Sequence, residues 1–501
     1  MTLHVGSIRY RLAALAGIFS LCVMIPEPVA AAPTQAEVDA LQAQITALRN
    51  QLDEVEARLR QVQQQAHDPT AAPPGSIRTA SAPADEARAA QFVWTNSEPG
   101  ELPLVSRSPT YWRIPGSDTQ VRFSGYIRMG AYKDLIDNID SYKFRSGEIH
   151  PRGSPIRNQT GNIQAQLRLS RISFDSITPT KLGDLHTVLA VDFAGAEPKS
   201  YEAEALQNNG YHLRLTHAFA NLGSFRFLGI PSELLVGQTW SNFLDDPDTA
   251  ETLDPSGPAS VPSERQPQIR YTMHLGRQAL SIALENPIGE YQLPGTAAAS
   301  SVNNTSTTNR WPDVSARYIV DSGRAHGQLS AIARSFMVND GAGHRSTALG
   351  YGLILGGSFK FSDSDQIGGQ GWYGKGIGKF IPDEFGSPNG FAVNGYGTDQ
   401  VQAIPQLSYG TSLWVRHFWA ADWRSNFALG YSGQHYAPFI VPAPDQAPSL
   451  RTAHLNLIYT PLPMIDVGME IEYGRKTFRR ALNLDDSDAL RLDFNWRARF
   501  N

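Results

Sequence analysis

From Val121 to Asn501 the chain reads as sixteen strand-like segments, running from "VRFSGYIRMGAYK" to the closing "ALRLDFNWRARF", and the links between them sort by length. Even-numbered links are short: "TPTKLG" after the second segment, "GIPS" after the fourth, "GR" after the sixth and "SG" after the eighth. Near-direct passages at Phe361–Ser364 and at Ala421 follow, then "PLPM" after the fourteenth. Odd-numbered links are mostly long: Asp134 to Gly161, Gly195 to Gly210, Asn242 to Pro267, Pro287 to Arg310, Ile381 to Leu407 and Ala437 to Leu450. Two, near Asn339 and Arg480, are brief. A sandwich has no reason to send its long loops to one end. A membrane barrel with an even number of strands does so by rule. The expected fold is therefore an all-β transmembrane barrel of about 16 antiparallel strands over residues 121–501.

The side-chain alternation agrees. In the closing strand Leu490, Leu492, Phe494, Trp496, Ala498 and Phe500 share one face, and Arg491, Asp493, Asn495, Arg497, Arg499 and Asn501 the other. Trp423, Phe427, Leu429 and Tyr431 likewise alternate with Arg424, Asn426, Gly430, Ser432 and Gln434. Rows of ionisable groups cannot fill a packed core unpaired, but they can line a watery lumen while the greasy face meets lipid. One strand departs from this: Gln164, Gln166, Arg168 and Ser170 share a face and Arg171 falls on the other. A bulge between them would return Arg171 to the lumen.

Composition permits this and excludes some rivals. The mean hydropathy of the 501 residues is −0.30, and no apolar run reaches the roughly 18 residues that a membrane helix needs. A formal net charge of −5 is small for the length and argues against a nucleic-acid partner.

Three segments precede the barrel. Residues 1–31 form a tripartite export signal: Arg9 and Arg11, the apolar "LAALAGIFSLCVMI", then small residues up to Ala31. Cleavage there removes Cys22, the sole cysteine. Over residues 33–67, Val38, Leu41, Ile45, Leu48, Leu52, Val55, Leu59 and Val62 are spaced alternately three and four apart, the seam of an α-helical coiled coil. A lone helix would leave that seam in water, so self-association is expected, and the mixed Val, Ile and Leu core allows a trimer. Residues 68–120, opening with Ala-, Pro- and Ser-rich sequence, read as a linker.

An exported coiled coil, a linker and sixteen strands resemble the DcaP-like family of trimeric porins of Gram-negative outer membranes. The distinctive stretch is "LLVGQTWSNFLDDPDTAETLDPSGP", in which Gly237, Gln238, Thr239, Trp240, Asn242 and Phe243 lead into an acidic segment ending Glu251-Thr252-Leu253-Asp254. "VRHFW" (Val415–Trp419) and "FSGYIRMGAY" are weaker likenesses. The chain departs from the usual outer-membrane ending in that Phe500 stands before a final Asn501. The resemblance implies an outer-membrane homotrimer, its coil in the periplasm, surrounded by lipid and lipopolysaccharide and passing small anions such as dicarboxylates. Phosphate-selective porins are a more distant likeness, and a trimeric adhesin without an open channel is the alternative function.

Porins select through pore width and the charges at the constriction. Face assignment points Arg122, Arg128, Arg168, Arg214, Arg270, Arg317, Arg424, Arg491, Arg497 and Arg499 into the lumen. Guanidinium groups bind carboxylates bidentately, so a ladder of them would guide anionic solutes. The plainer reading is that they pair with lumenal Asp192, Asp466, Glu470, Glu472 and Asp493 and brace the wall. Arg128, Arg168 and Arg214 lie close in sequence and are expected to form a stripe on one flank, with the loop from Asn242 opposite. That loop carries Asp245, Asp246, Asp248 and Glu251, followed by Asp254. Folded inward it would face the basic wall and oppose anion preference; its acidic spacing matches no EF-hand, so a solvated loop is expected. No metal or cofactor is expected, since no zinc spacing, haem motif or phosphate loop is present. His217, Ser241 and Asp245 are scattered and lack a nucleophile motif, so an enzyme is not expected.

Overall fold

The computed structural model describes residues 111–139, 141–195, 211–244, 249–288, 291–292, 309–381 and 390–500. The signal, the coiled coil and most of the linker lie outside these residues.

Sixteen strands form the wall. β1 is Gln120–Ile136, β2 comprises Ile163–Gln166 and Arg171–Thr180, β3 is Gly183–Asp192 and β4 Arg214–Phe227. β5 is Ile230–Trp240, β6 Arg265–Leu275, β7 Gln278–Glu285 and β8 Asp313–Asp321. β9 is Ala325–Asn339, β10 Arg345–Lys360, β11 Asp365–Lys375 and β12 Leu407–Ala420. β13 is Trp423–Gln434, β14 Ser449–Leu462, β15 Ile465–Lys476 and β16 Ser487–Phe500. Each pairs antiparallel with its neighbour in sequence, and β16 returns to β1 in a register running from Phe500 on Gly125 to Leu490 on Ile136. That last ladder closes the barrel and leaves no free edge among the wall strands. Trp112–Arg113 adds a short antiparallel pairing to the start of β1.

The faces follow the alternation. Leu353, Leu355, Leu413, Phe427, Leu455 and Met469 stay exposed on the outside, as a lipid-facing surface requires. Trp419, Trp423, Tyr459 and Phe361 gather near the short turns, with Trp423 stacked on Tyr459 at 4.5 Å, where an interfacial aromatic girdle is expected. Arg491, Asp493 and Asn495 of β16 are buried on the inside.

The β2 irregularity resolves as a bulge. Gln166 pairs with Gly130 and Arg171 with Tyr126, so five steps of β2 oppose four of β1. The surplus residue is taken up where Ser170 N donates to Leu167 O at 2.9 Å. Arg168 and Arg171 are both buried as a result.

Candidate functional site

The site is built by the chain between β5 and β6. After Trp240 the backbone turns inward and is fastened at its root by side chains of neighbouring strands. Ser241 Oγ donates to Glu285 Oε2 at 2.6 Å, and Ser281 Oγ donates to Asn242 Oδ1 at 2.6 Å. Phe243 packs edge-on to Phe380 at 5.2 Å, within an internal cluster with Ile332, Ile354 and Ile377. The rest of the described loop lies on the inner wall of β10 to β15, which has removed its side chains to receive it. A Cβ on Gly430 would come within 2.1 Å of Ala259 O, and one on Gly410 within 2.6 Å of Ser260 Cβ. Neither glycine has an unusual φ; the need is for close approach. Polar ties complete the seat: Ala259 N donates to Thr452 Oγ1 at 2.6 Å and Trp372 Nε1 to Ser260 O at 2.8 Å.

The electrostatic centre is Glu251. Arg424 holds it in a bidentate fork, Nε at 2.9 Å and Nη2 at 2.7 Å, and Arg416 Nε stands 3.5 Å away. Both partners of the fork are sealed from solvent, with 5% of the Arg424 side chain and 3% of the Glu251 side chain exposed. Burial pushes the Glu251 carboxyl up, but Arg424 and Arg416 outweigh it and hold the group below the usual glutamate range. Further along, Leu253 N donates to Glu470 Oε2 at 2.6 Å and its carbonyl accepts from Arg128. Asp254 accepts from Phe144 N at 2.7 Å.

This changes the expectation of a solvated loop: Glu251 and Asp254 are buried because the glycine track lets the backbone approach the wall. Glu251 touches its arginines rather than facing them across a gap, so it sets up no open transverse field. Asp245, Asp246 and Asp248 lie outside the described residues. Nor does the loop hang opposite Arg128; it reaches that residue.

The other arginines stand as follows. Arg122 Nη2 meets Asp175 at 3.1 Å, and Arg214 forks onto Asp192 at 2.9 and 2.6 Å. Arg168 lies over the rings of Tyr142 at 5.5 Å and Tyr211 at 5.2 Å. Arg270 shares its register with the buried Leu235 and Ala283, which puts it on the inner face. Arg317 donates to Leu244 O, Arg491 forks onto Asp134 at 2.7 and 3.0 Å, and Arg497 and Arg499 converge on Asp466. Arg171 is inward, as the bulge requires; inward Arg334 and Arg416, with Asp134, Asp175, Glu285 and Asp313, were missed, and counting these narrows the arginine surplus. Arg416 was legible from alternation, since Leu413 and Val415 are exposed, but the inward Trp414 disguises the period. His217 bonds Thr239 at 2.9 Å while Ser241 bonds Glu285, so these two are not brought into a relay.

A closed sixteen-strand barrel with a lipid-facing exterior, a charged interior and a long loop folded within is a porin-type barrel of the outer membrane. The family profile described as DcaP outer membrane protein matches residues 99–488. The chain belongs to the DcaP outer membrane protein family. In structure it is similar to the outer membrane channel DcaP of Acinetobacter baumannii, at 20% identity and a TM-score of 0.61, over 78% of this chain and 99% of that one. It is less similar to in-vitro folded OmpT of Vibrio cholerae, at 11% identity and a TM-score of 0.47, over 77% and 99% of the two chains. No curated protein matches the sequence.

Proposed function

We propose that this protein is a passive diffusion channel for small solutes, with organic anions such as dicarboxylates favoured. The observation that carries the reading is the loop between β5 and β6, fastened inside the barrel where it narrows the lumen, as a selective constriction requires. Arg122, Arg128, Arg168, Arg214 and Arg270 supply guanidinium groups along the inner wall near the loop's flank. Arg424, clamped on Glu251, acts as the latch that sets the loop's position. Arg122, Arg214 and Arg424 already have carboxylate partners, so the preference for anions is modest. The assembly is a homotrimer with its coil in the periplasm, in line with the heptad seam.

Planar-bilayer recordings in a salt gradient test this. Chloride-over-potassium selectivity should fall when Arg128, Arg168 and Arg214 are replaced by Ala together, and succinate flux should slow more than that of a neutral sugar. Arg168→Ala alone separates lost charge from loosening of the loop, because Arg128 also holds Leu253 O. Unchanged reversal potentials would make the stripe structural, and absence of any conductance would favour an adhesin.

A further inference from the structure

Behind the seated loop, three strands bring together side chains that no motif joins. The β14–β15 register sets His454 opposite Glu472, and the β15–β16 register sets Glu470 opposite Asp493. Glu470 and Glu472 are two apart on one strand, so both share the inner face with His454. Ligand atoms of His454, Glu470 and Glu472 all lie within 4.8 Å of one another. Donors at the usual metal–ligand lengths of roughly 2.0–2.3 Å lie at most about 4.6 Å apart, so small side-chain movements bring these three around one ion. All three residues are essentially sealed: His454 is 1%, Glu470 1% and Glu472 0% exposed.

The hydrogen bonds in this pocket do not close. Glu470 is satisfied: Oε2 accepts from Leu253 N and, at 2.9 Å, from Asn456 Nδ2, while Oε1 meets His454 Nδ1 at 2.9 Å. Among the described residues Glu472 has no hydrogen-bond partner on either oxygen, and neither His454 Nε2 nor Asp493 Oδ1 has one. Arg491, across the register from Glu472, gives its guanidinium to Asp134 and to Ser141 O at 2.9 Å. A buried carboxylate with no donor is strongly unfavourable unless a cation or a proton joins it.

We propose that His454, Glu470 and Glu472 hold one divalent transition-metal ion of the zinc type, which staples the seated loop to the wall. One imidazole nitrogen among carboxylate oxygens suits such an ion, whereas calcium takes an all-oxygen shell. The ion neutralises carboxylates that would otherwise repel each other in a dry pocket. Because Glu470 also accepts from Leu253 N, occupancy is felt directly by the loop. The site does not depend on which solute the barrel passes.

The test uses the full-length mature protein folded in detergent, stripped with EDTA and dialysed. Titration with zinc chloride, followed by calorimetry and metal analysis, should give one ion per chain, and calcium chloride should bind at least about tenfold more weakly. Zinc should also raise the temperature at which the folded gel band converts to the unfolded one. Glu472→Gln and His454→Asn should each abolish the bound ion. Should either variant fail to fold, cobalt(II) added to the wild type should give the visible absorption of a site with nitrogen and oxygen donors. No zinc on the wild type, or equal zinc on wild type and Glu472→Gln, overturns the proposal. Calcium binding as tight as zinc overturns the assignment of the ion. Greater heat resistance of metal-free Glu472→Gln, with no zinc on the wild type, would identify a shared proton in its place.

Discussion

Two places on the inner wall solve the same problem with opposite consequences. At one, Asp192 lies between Arg214 at 2.6 Å and Arg171 at 3.8 Å. At the other, Glu251 lies between Arg424 at 2.7 Å and Arg416 at 3.5 Å. In both a carboxylate is bracketed by two guanidinium groups. Asp192 and Arg214 are only 22 residues apart, on strands that already pair, so their bond restates what the backbone ladder fixes. Glu251 and Arg424 are 173 residues apart and join a loop to a wall that has no ladder with it. Identical chemistry braces in the first place and positions in the second.

Glu251→Gln should separate the two most strongly. It leaves Arg416 buried without the carboxylate beside it and Arg424 with only Asp466 at 3.6 Å, a loss of about 3 kcal/mol. Single-channel conductance should rise and the segment after Trp240 should become open to an added protease. Unchanged conductance would mean that packing alone seats the loop. Gly430→Val attacks that packing instead, because its side chain would enter the space of Ala259. Overpacking of this kind costs about 1–3 kcal/mol, and conductance should move in the same direction but less. Asp192→Asn is the control on the bracing side. Arg214 is 31% exposed there, so solvent screens that contact, while buried Arg171 stands farther off at 3.8 Å; the loss should be smaller than that of Glu251→Gln. The midpoint of the heat-induced band shift should drop slightly while conductance stays as in the wild type; altered conductance would mean that this bracket also positions the loop.

The smallest effect is that of pH. Glu251 lies on the loop, outside the spanning strands, and its carboxyl is held below the usual range by Arg424 and Arg416 against the upward push of burial. The stability gained from the latch is therefore complete above the ordinary glutamate value and is lost as pH falls through the lowered one. Conductance should stay flat on acidification through the ordinary carboxylate range and change only below it. A change beginning nearer neutrality would assign the transition to another group.

Much of the wall was legible because period-two alternation is written residue by residue. The β2 bulge was even visible as a phase error between Ser170 and Arg171, since one extra residue turns every later side chain over. The site was less legible. Gly430 reads in the sequence only as one more position of the inward face, whereas in the fold it and Gly410 are the seat of a loop more than 140 residues earlier in the chain. His454, Glu470 and Glu472 carry no metal spacing because they meet across a hairpin. Likewise the acidic loop carries charge in the sequence but no sign of where that charge ends.

The sequence by itself determined strand number, the sorting of turns and loops, the face that meets lipid, and membership of the family, all properties of local order along one chain. Only the tertiary structure decided which arginine meets which carboxylate and where the loop comes to rest. Those outcomes depend on which strands closure makes neighbours across the lumen. Alternation sets the direction of a side chain, but its partner is set by the curvature and register of a sheet that must first close on itself.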